Sequence, residues 1–76
     1  MSKTKEPAPG PTRASIGARM RAAREAAGLS QVALGERLGL PQSKVSAYER
    51  GEWMPRLDLA WRWAQACGCS VDALAG

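Results

Sequence analysis

Apolar residues recur at helical spacing along the chain from residue 15 onward. Four of them, each three or four positions from the next, predict the buried face of a first helix. They are Ile16, Met20, Ala23 and Ala27. Gly28 follows and favours a helix end, because glycine readily takes the left-handed conformation found there. We therefore expect this helix to begin near Ser15.

Two shorter helices are predicted between residues 30 and 51. Ser30 is a typical N-cap for a helix over 31–38, and Gly39 ends that helix. A third helix runs from about Pro41, which suits a first helical turn, to Arg50. The inward-facing apolar residues of this region are Leu34, Leu38, Leu40, Val45 and Tyr48.

A fourth helix is predicted from about Arg56 to Cys67, and a last single turn over 71–74 behind a capping Ser70. At about 100° per residue, Trp61 and Trp63 lie on opposite sides of the apolar face, so both can hardly be fully buried. The centre of that face is predicted to hold Leu57, Ala60, Ala64 and Cys67. The pattern predicts an all-α domain without strands.

Residues 1–14 differ from the rest in composition. They contain Pro7, Pro9 and Pro11, an excess of basic residues and almost nothing that could form a core. We predict a disordered, basic, proline-rich arm ahead of one domain over residues 15–76. Two interpretations stay open for the arm, a solvated tail or a segment that contacts the DNA backbone or minor groove.

Length, composition and charge argue against an enzyme and favour a protein that binds a polyanion. The chain has 76 residues, enough for one domain but too few for a cleft of enzyme size. It has no histidine, and no nucleophile lies beside a general base, so we do not expect an enzyme. Eleven Lys and Arg against seven Asp and Glu give a net charge of +4, which suits a polyanionic partner.

The two cysteines do not indicate a metal or cofactor site. Cys67 and Cys69 stand alone, without a histidine or a second cysteine pair to complete a zinc site. They are typical of reduced thiols in a cytoplasmic protein, with Cys67 packed as a small apolar residue. No apolar run approaches the length of a membrane span, so we expect no membrane association.

Residues 31–50 carry the clearest functional signal. Two short helices that meet at a sharp turn need a small residue where they cross and a residue free to take positive φ in the turn. Gly35 and Gly39 occupy these two places. The pattern predicts a helix-turn-helix.

Four segments resemble the XRE-type helix-turn-helix family, which includes Cro and the lambdoid phage repressors. They are GLSQ at 28–31, LGL at 38–40, QSKVSA at 42–47 and YERG at 48–51. The resemblance covers residues 16–74 and implies a lambda-repressor-like fold of five short helices, with the third laid in the major groove of DNA. The sequence departs from the family's pattern at Gly35, where alanine is usual, and at Pro41 and Arg56, where polar caps are usual.

A recognition helix in this position reads bases with the outward residues of its first turns. We expect base contacts from Gln42, Ser43, Ser46 and Ala47. The amide of Gln42 can bond adenine at both N6 and N7, and the methyl group of Ala47 can contact the methyl group of thymine.

Contacts to the DNA backbone are expected around this helix. Gln31 begins helix 2, whose free amides and dipole favour a phosphate, and the resemblance implies that its side chain also braces Gln42. Lys44, Arg50 and Arg56 are the expected basic contacts, although each is equally well interpreted as a solvated surface charge.

The resemblance also implies an internal ion pair and a dimer. Arg24 and Glu49 match the family's paired arginine and glutamate, so Glu49 should hold helix 3 to helix 1 and not contact DNA. Family members commonly dimerise through helices 4 and 5, where we expect Trp61, Val71 and Leu74 in the interface. A partly exposed tryptophan covering a small core is the alternative.

These features predict a sequence-specific regulator of transcription. We expect a bacterial, phage or plasmid-encoded repressor that binds a palindromic operator as a homodimer. The alternative is an antitoxin that neutralises a toxin protein and represses its own operon, with the N-terminal segment folding against that partner.

Overall fold

The computed structural model describes residues 11–76, and these form five helices and no strand. Helix α1 contacts α3, α4 and α5, and α2 contacts α3 and α4. The predicted all-α, five-helix fold is confirmed. The helices are α1 (Arg13–Ala26), α2 (Gln31–Leu38), α3 (Gln42–Glu49), α4 (Leu57–Cys67) and α5 (Val71–Ala75).

Helix α1 begins two residues earlier than predicted because of a cap at Thr12. The Thr12 Oγ1 accepts from the Ser15 amide at 3.1 Å, and the Ser15 Oγ accepts from the Thr12 amide at 2.9 Å. This reciprocal pair is a capping box, and it places Arg13 and Ala14 in the helix and outside the arm predicted over 1–14. Residues 1–10 of that arm lie outside the described residues. At the other end, Ala27 is an exposed C-cap and does not belong to the buried face.

The core is built around Trp63. Its side chain is fully buried, and its Nε1 donates a hydrogen bond of 3.1 Å to the carbonyl oxygen of Met20 on α1. The ring of Tyr48 meets it edge to face, with centroids 6.5 Å apart. A buried indole needs a partner for its N–H, and here that partner also ties α4 to α1. The expected core residues Met20, Leu34, Leu38 and Val45 are buried beside it.

The apolar face of α4 is turned relative to the prediction. Leu57 was placed at the centre of this face but is 76% exposed, so that expectation is wrong. Leu57 and Trp63 both lie about 60° from Ala60, on opposite sides, and the helix turns so that the larger side chain enters the core. Cys67 is only half-buried, and burial raises the pKa of its thiol, which keeps it protonated at neutral pH.

Helices α1 and α3 cross at Gly17. A Cβ atom there would lie 2.6 Å from the carbonyl oxygen of Tyr48 and 2.7 Å from that of Glu49. Any side chain would push the two helices apart, so glycine sets the distance at which α3 packs. Gly35 on α2 also has no room for a side chain, because a Cβ atom there would clash with the carbonyl oxygen of Leu40 in the turn that follows.

A buried ion pair joins the same two helices. The Nε of Arg24 lies 2.6 Å from Oε2 of Glu49, and its Nη2 donates to Oε1 at 3.0 Å. The third nitrogen, Nη1, donates to the carbonyl oxygen of Leu29 at 2.7 Å. The side chains are 10% and 3% exposed, and the hydrogen bonds to Glu49 raise the pKa of the Arg24 guanidinium above its ordinary value. The pair is therefore charged, bidentate and shielded from water.

We expect Glu49→Gln to lower the free energy of unfolding by about 3–5 kcal/mol, because Arg24 would keep its charge in a buried place with only the exposed Glu25, 4.0 Å from its Nη2, as counter-charge. Urea unfolding followed by tryptophan fluorescence measures this. Glu36→Gln is the matched control, since Glu36 is an exposed carboxylate on α2. Unfolding of the Glu49 variant at the same urea concentration as the parent chain would contradict the assignment.

Candidate nucleic-acid interface

The turn between α2 and α3 presents the start of α3 to solvent. Gly39 ends α2 in the left-handed conformation, with φ of 72°, and the Leu40 amide then donates to the carbonyl oxygen of Gly35 at 2.8 Å. Pro41 is the N-cap of α3, one position before the predicted first turn, and provides no side-chain cap. The chain therefore reverses tightly, and Gln42 and Ser43 lead α3 in exposed positions.

One stripe of α3 faces outward. At about 100° per residue, four polar residues fall within roughly a quarter to a third of a turn. They are Gln42, Ser43, Ser46 and Arg50. All are exposed except Ser46, which is half-buried. Three of the four predicted base-reading residues thus share one surface. Lys44 is also exposed but lies about 100° further around the helix than Ser43.

Ala47, the fourth predicted base reader, lies only about 40° from Ser43 around the helix but is buried. It is only 4% exposed, and its carbonyl oxygen accepts from the Glu52 amide at 3.0 Å as the chain turns after α3. A methyl group buried in this way cannot contact a thymine methyl. The burial of Ala47 instead helps pack α3 onto the domain, and we remove this residue from the interface.

Gln42 is oriented by hydrogen bonds that end at the buried carboxylate. Gln31 Nε2 donates to Glu49 Oε1 at 3.1 Å, and Gln42 Nε2 donates to Gln31 Oε1 at 3.2 Å. An ionised carboxylate only accepts, so it determines which end of the Gln31 amide points toward it. Gln31 in turn leaves Gln42 with its Oε1 and one N–H to offer a ligand. That acceptor and donor are the pair that adenine requires at N6 and N7.

The side chain of Arg50 forms hydrogen bonds with two neighbouring side chains. Its Nε donates to Glu52 Oε2 at 2.8 Å, and its Nη1 donates to Ser46 Oγ. Gly51 makes the first contact possible, because its φ of 78° reverses the chain directly after α3. The sequence analysis assigned no role to Glu52. The opposite charges two positions apart across a glycine were the signal that could have identified it.

Arg56 lies at the start of α4, also without a side-chain cap. Its Nε is 3.8 Å from Oδ1 of Asp58, and the two side chains are 89% and 77% exposed. Such an exposed pair contributes little stability, so Arg56 can exchange this partner for another anion.

An apolar groove runs beside Arg56, between α4 and α5. Its lining includes Leu57, Trp61 and Val71, and Trp61 is 55% exposed. Leu74 was predicted to share this surface but is 1% exposed and belongs to the core, so that assignment is wrong. Val71 is half-buried and contributes to both the groove and the core.

Among residues 11–76, no three His, Cys, Asp or Glu side chains are grouped so that they could hold a metal ion. No helix in this range has the length and hydropathy needed to cross a membrane.

Solved structures of similar fold include two regulators of bacterial genes. The restriction-modification controller protein C.AhdI of Aeromonas hydrophila is 34% identical, with a TM-score of 0.75, over 82% of this chain and 94% of that one. The clp gene regulator ClgR of Corynebacterium glutamicum is 31% identical, with a TM-score of 0.78, over 90% of each chain.

HppE is similar in one part only. It is 27% identical with a TM-score of 0.80, and the match covers 86% of this chain but 36% of HppE. This chain thus spans about a third of HppE, which has also been crystallised with FeII and substrate. The likeness concerns a shared domain.

The sequence matches one family over most of its length. No curated protein sequence gives a significant match. The family model described as a helix-turn-helix domain matches residues 15–75, which is most of the chain and includes all of α2 to α5. The chain therefore belongs to the helix-turn-helix family of DNA-binding transcriptional regulators, in its XRE-type branch.

Proposed function

We propose that this chain is a sequence-specific repressor that binds a palindromic operator as a homodimer. The observation that carries the proposal is the prepared amide of Gln42. Hydrogen bonds from Glu49 through Gln31 hold it at the exposed start of α3, with the donor and acceptor that match adenine. A surface glutamine without such a function would gain nothing from being oriented in advance.

Ser43 and Ser46 complete the proposed base-reading surface. The Ser46 hydroxyl accepts from Arg50, so its own proton is free to be donated to a base. Backbone contacts come from the start of α2 at Gln31, from Lys44 and from Arg56. A phosphate at α2 would meet amide groups and the positive end of the helix dipole.

The dimer would form through the groove between α4 and α5. Leu57 and Trp61 are both exposed in the lining of this groove, where a second copy could cover them. Arg56 and Asp58 flank the groove with opposite charges. In a two-fold interface the same patch meets itself, so a patch that carries both charges is complementary to its own copy.

The comparisons support a regulator of gene expression. C.AhdI, a controller protein, is matched over nearly its whole length, and ClgR is a gene regulator. The absence of enzymatic activity stays a prediction, and so does the alternative of an antitoxin with a toxin as partner. No contact of the described residues favours that alternative over the repressor.

Selection from a randomised duplex library tests the proposal directly. We expect a two-fold symmetric site, and we expect Gln42→Ala to lose discrimination of about 1–3 kcal/mol at one base pair in each half-site. Gln31→Ala should weaken preference at that same base pair, because Gln42 would remain but lose its orientation. A promoter that overlaps the selected site should give lower reporter expression when the protein is present.

Gln65→Ala is the matched control for these two variants. Gln65 is an exposed glutamine on α4 and should leave the selected site unchanged. The proposal would be overturned if the parent chain selected no consensus and its affinity simply fell as salt rose. Binding would then be driven by phosphate contacts only.

Sedimentation equilibrium at tens of micromolar tests the dimer. We expect the parent chain to be dimeric and Trp61→Glu to be monomeric, because a carboxylate would have to be buried against its own copy. Val32→Glu is the control, since Val32 is 49% exposed on α2, away from the groove residues in sequence. A monomeric parent chain would count against dimerisation, and a dimeric Trp61 variant would count against this surface.

A further inference from the structure

Arg50 is held in one orientation on the outward surface of α3. It is the C-cap of the helix, yet its side chain folds back by one turn to reach the hydroxyl of Ser46. Glu52 holds the other edge of the guanidinium through its Nε. The charged group therefore lies level with Ser46, roughly one turn closer to the start of the helix than its own Cα.

These two contacts leave a defined part of the guanidinium available. Among residues 11–76, none accepts a hydrogen bond from Nη2, and Nη1 has a second proton besides the one directed at Ser46. Both protons of Nη2 and one proton of Nη1 therefore stay available to a ligand, on nitrogens that do not contact Glu52. Two parallel donors are what the O6 and N7 atoms of guanine accept in the major groove.

Charge argues against a simple phosphate contact here. Glu52 neutralises Arg50 at 2.8 Å, whereas a residue that clamps a phosphate gains from an unopposed positive charge. A carboxylate next to the DNA backbone would also be repelled by it. The same carboxylate is useful where orientation matters more than net charge, because it limits the rotamers of a long side chain before binding.

We infer that Arg50 reads a guanine through its terminal nitrogens and that Glu52 is the positioning residue that aims it. This inference rests on the proposed function, since it requires the outward surface of α3 to lie in the major groove. It replaces the backbone contact expected of Arg50 and adds a further base-specific residue to Gln42, Ser43 and Ser46.

The test combines library selection with the salt dependence of binding to the selected site and to random duplex. For Arg50→Ala we expect guanine preference at one base pair per half-site to fall by roughly 5- to 100-fold. Because Arg50→Ala leaves Glu52 unpaired, affinity for random duplex should also fall. Glu52→Gln added to Arg50→Ala restores the net charge of the parent chain, so it should recover this affinity but not the guanine preference. For Glu52→Gln we expect a smaller loss at the same base pair together with tighter binding to random duplex, because a negative charge is removed.

Arg56→Ala provides the comparison, because a phosphate contact should weaken binding to every sequence and reduce the salt slope by about one. A uniform loss for Arg50→Ala, with guanine preference unchanged, would overturn the inference and leave the proposed repressor standing. Loss of all sequence preference in the parent chain would overturn both. A Glu52→Gln variant that binds all duplexes more tightly, with guanine preference unchanged, would overturn the positioning assignment.

Discussion

The carboxylate of Glu49 is the group on which both the fold and the proposed DNA-facing surface of α3 depend. It is nearly inaccessible to water and receives hydrogen bonds from Arg24 on α1 and Gln31 on α2. Because Glu49 itself lies on α3, this one side chain connects three of the five helices. Moving one of these helices would remove a hydrogen-bond partner from a buried charge, which costs free energy. The carboxylate therefore fixes the positions of the three helices relative to one another.

The same carboxylate links the interior to the surface. Its fixed polarity as an acceptor propagates outward through two amide groups, from Gln31 to Gln42. Under the proposed function, stability and base preference are therefore coupled through the hydrogen bonds that join the core to the first residue of α3. A second orientation device, Glu52 acting on Arg50, lies at the opposite end of that helix and works on the surface alone.

Most of the fold could be predicted from helical spacing, caps and glycines, since α2 has the predicted bounds and every other helix boundary falls within two residues of its prediction. Spacing could not decide the rotation of α4. Leu57 and Trp63 flank Ala60 symmetrically, and only the volume of the indole and its bond to Met20 select one of them. The start of α1 was missed because serine, and not the more usual glutamate, completes its capping box with Thr12.

The site was less predictable than the fold for a related reason. Ala47 and Leu74 have side chains that suit either a surface contact or a core, and only the three-dimensional packing shows that both are buried. Glu52 acquires its contact from the backbone reversal at Gly51, which charge patterning along a straight helix does not anticipate. The exposure of Gln42 and Ser43 could be predicted because the start of a helix behind a tight turn is exposed whatever the core contains.

The crossing at Gly17 has a consequence for how such a domain can change its target. The position of α3 is set there by backbone atoms, the carbonyl oxygens of Tyr48 and Glu49 against a bare Cα. Exchange of the outward side chains of α3 leaves that contact untouched. New binding preferences can therefore arise by substitution at a few surface positions while the scaffold stays the same, which makes the domain readily adaptable in evolution and a suitable starting point for redesigned specificity.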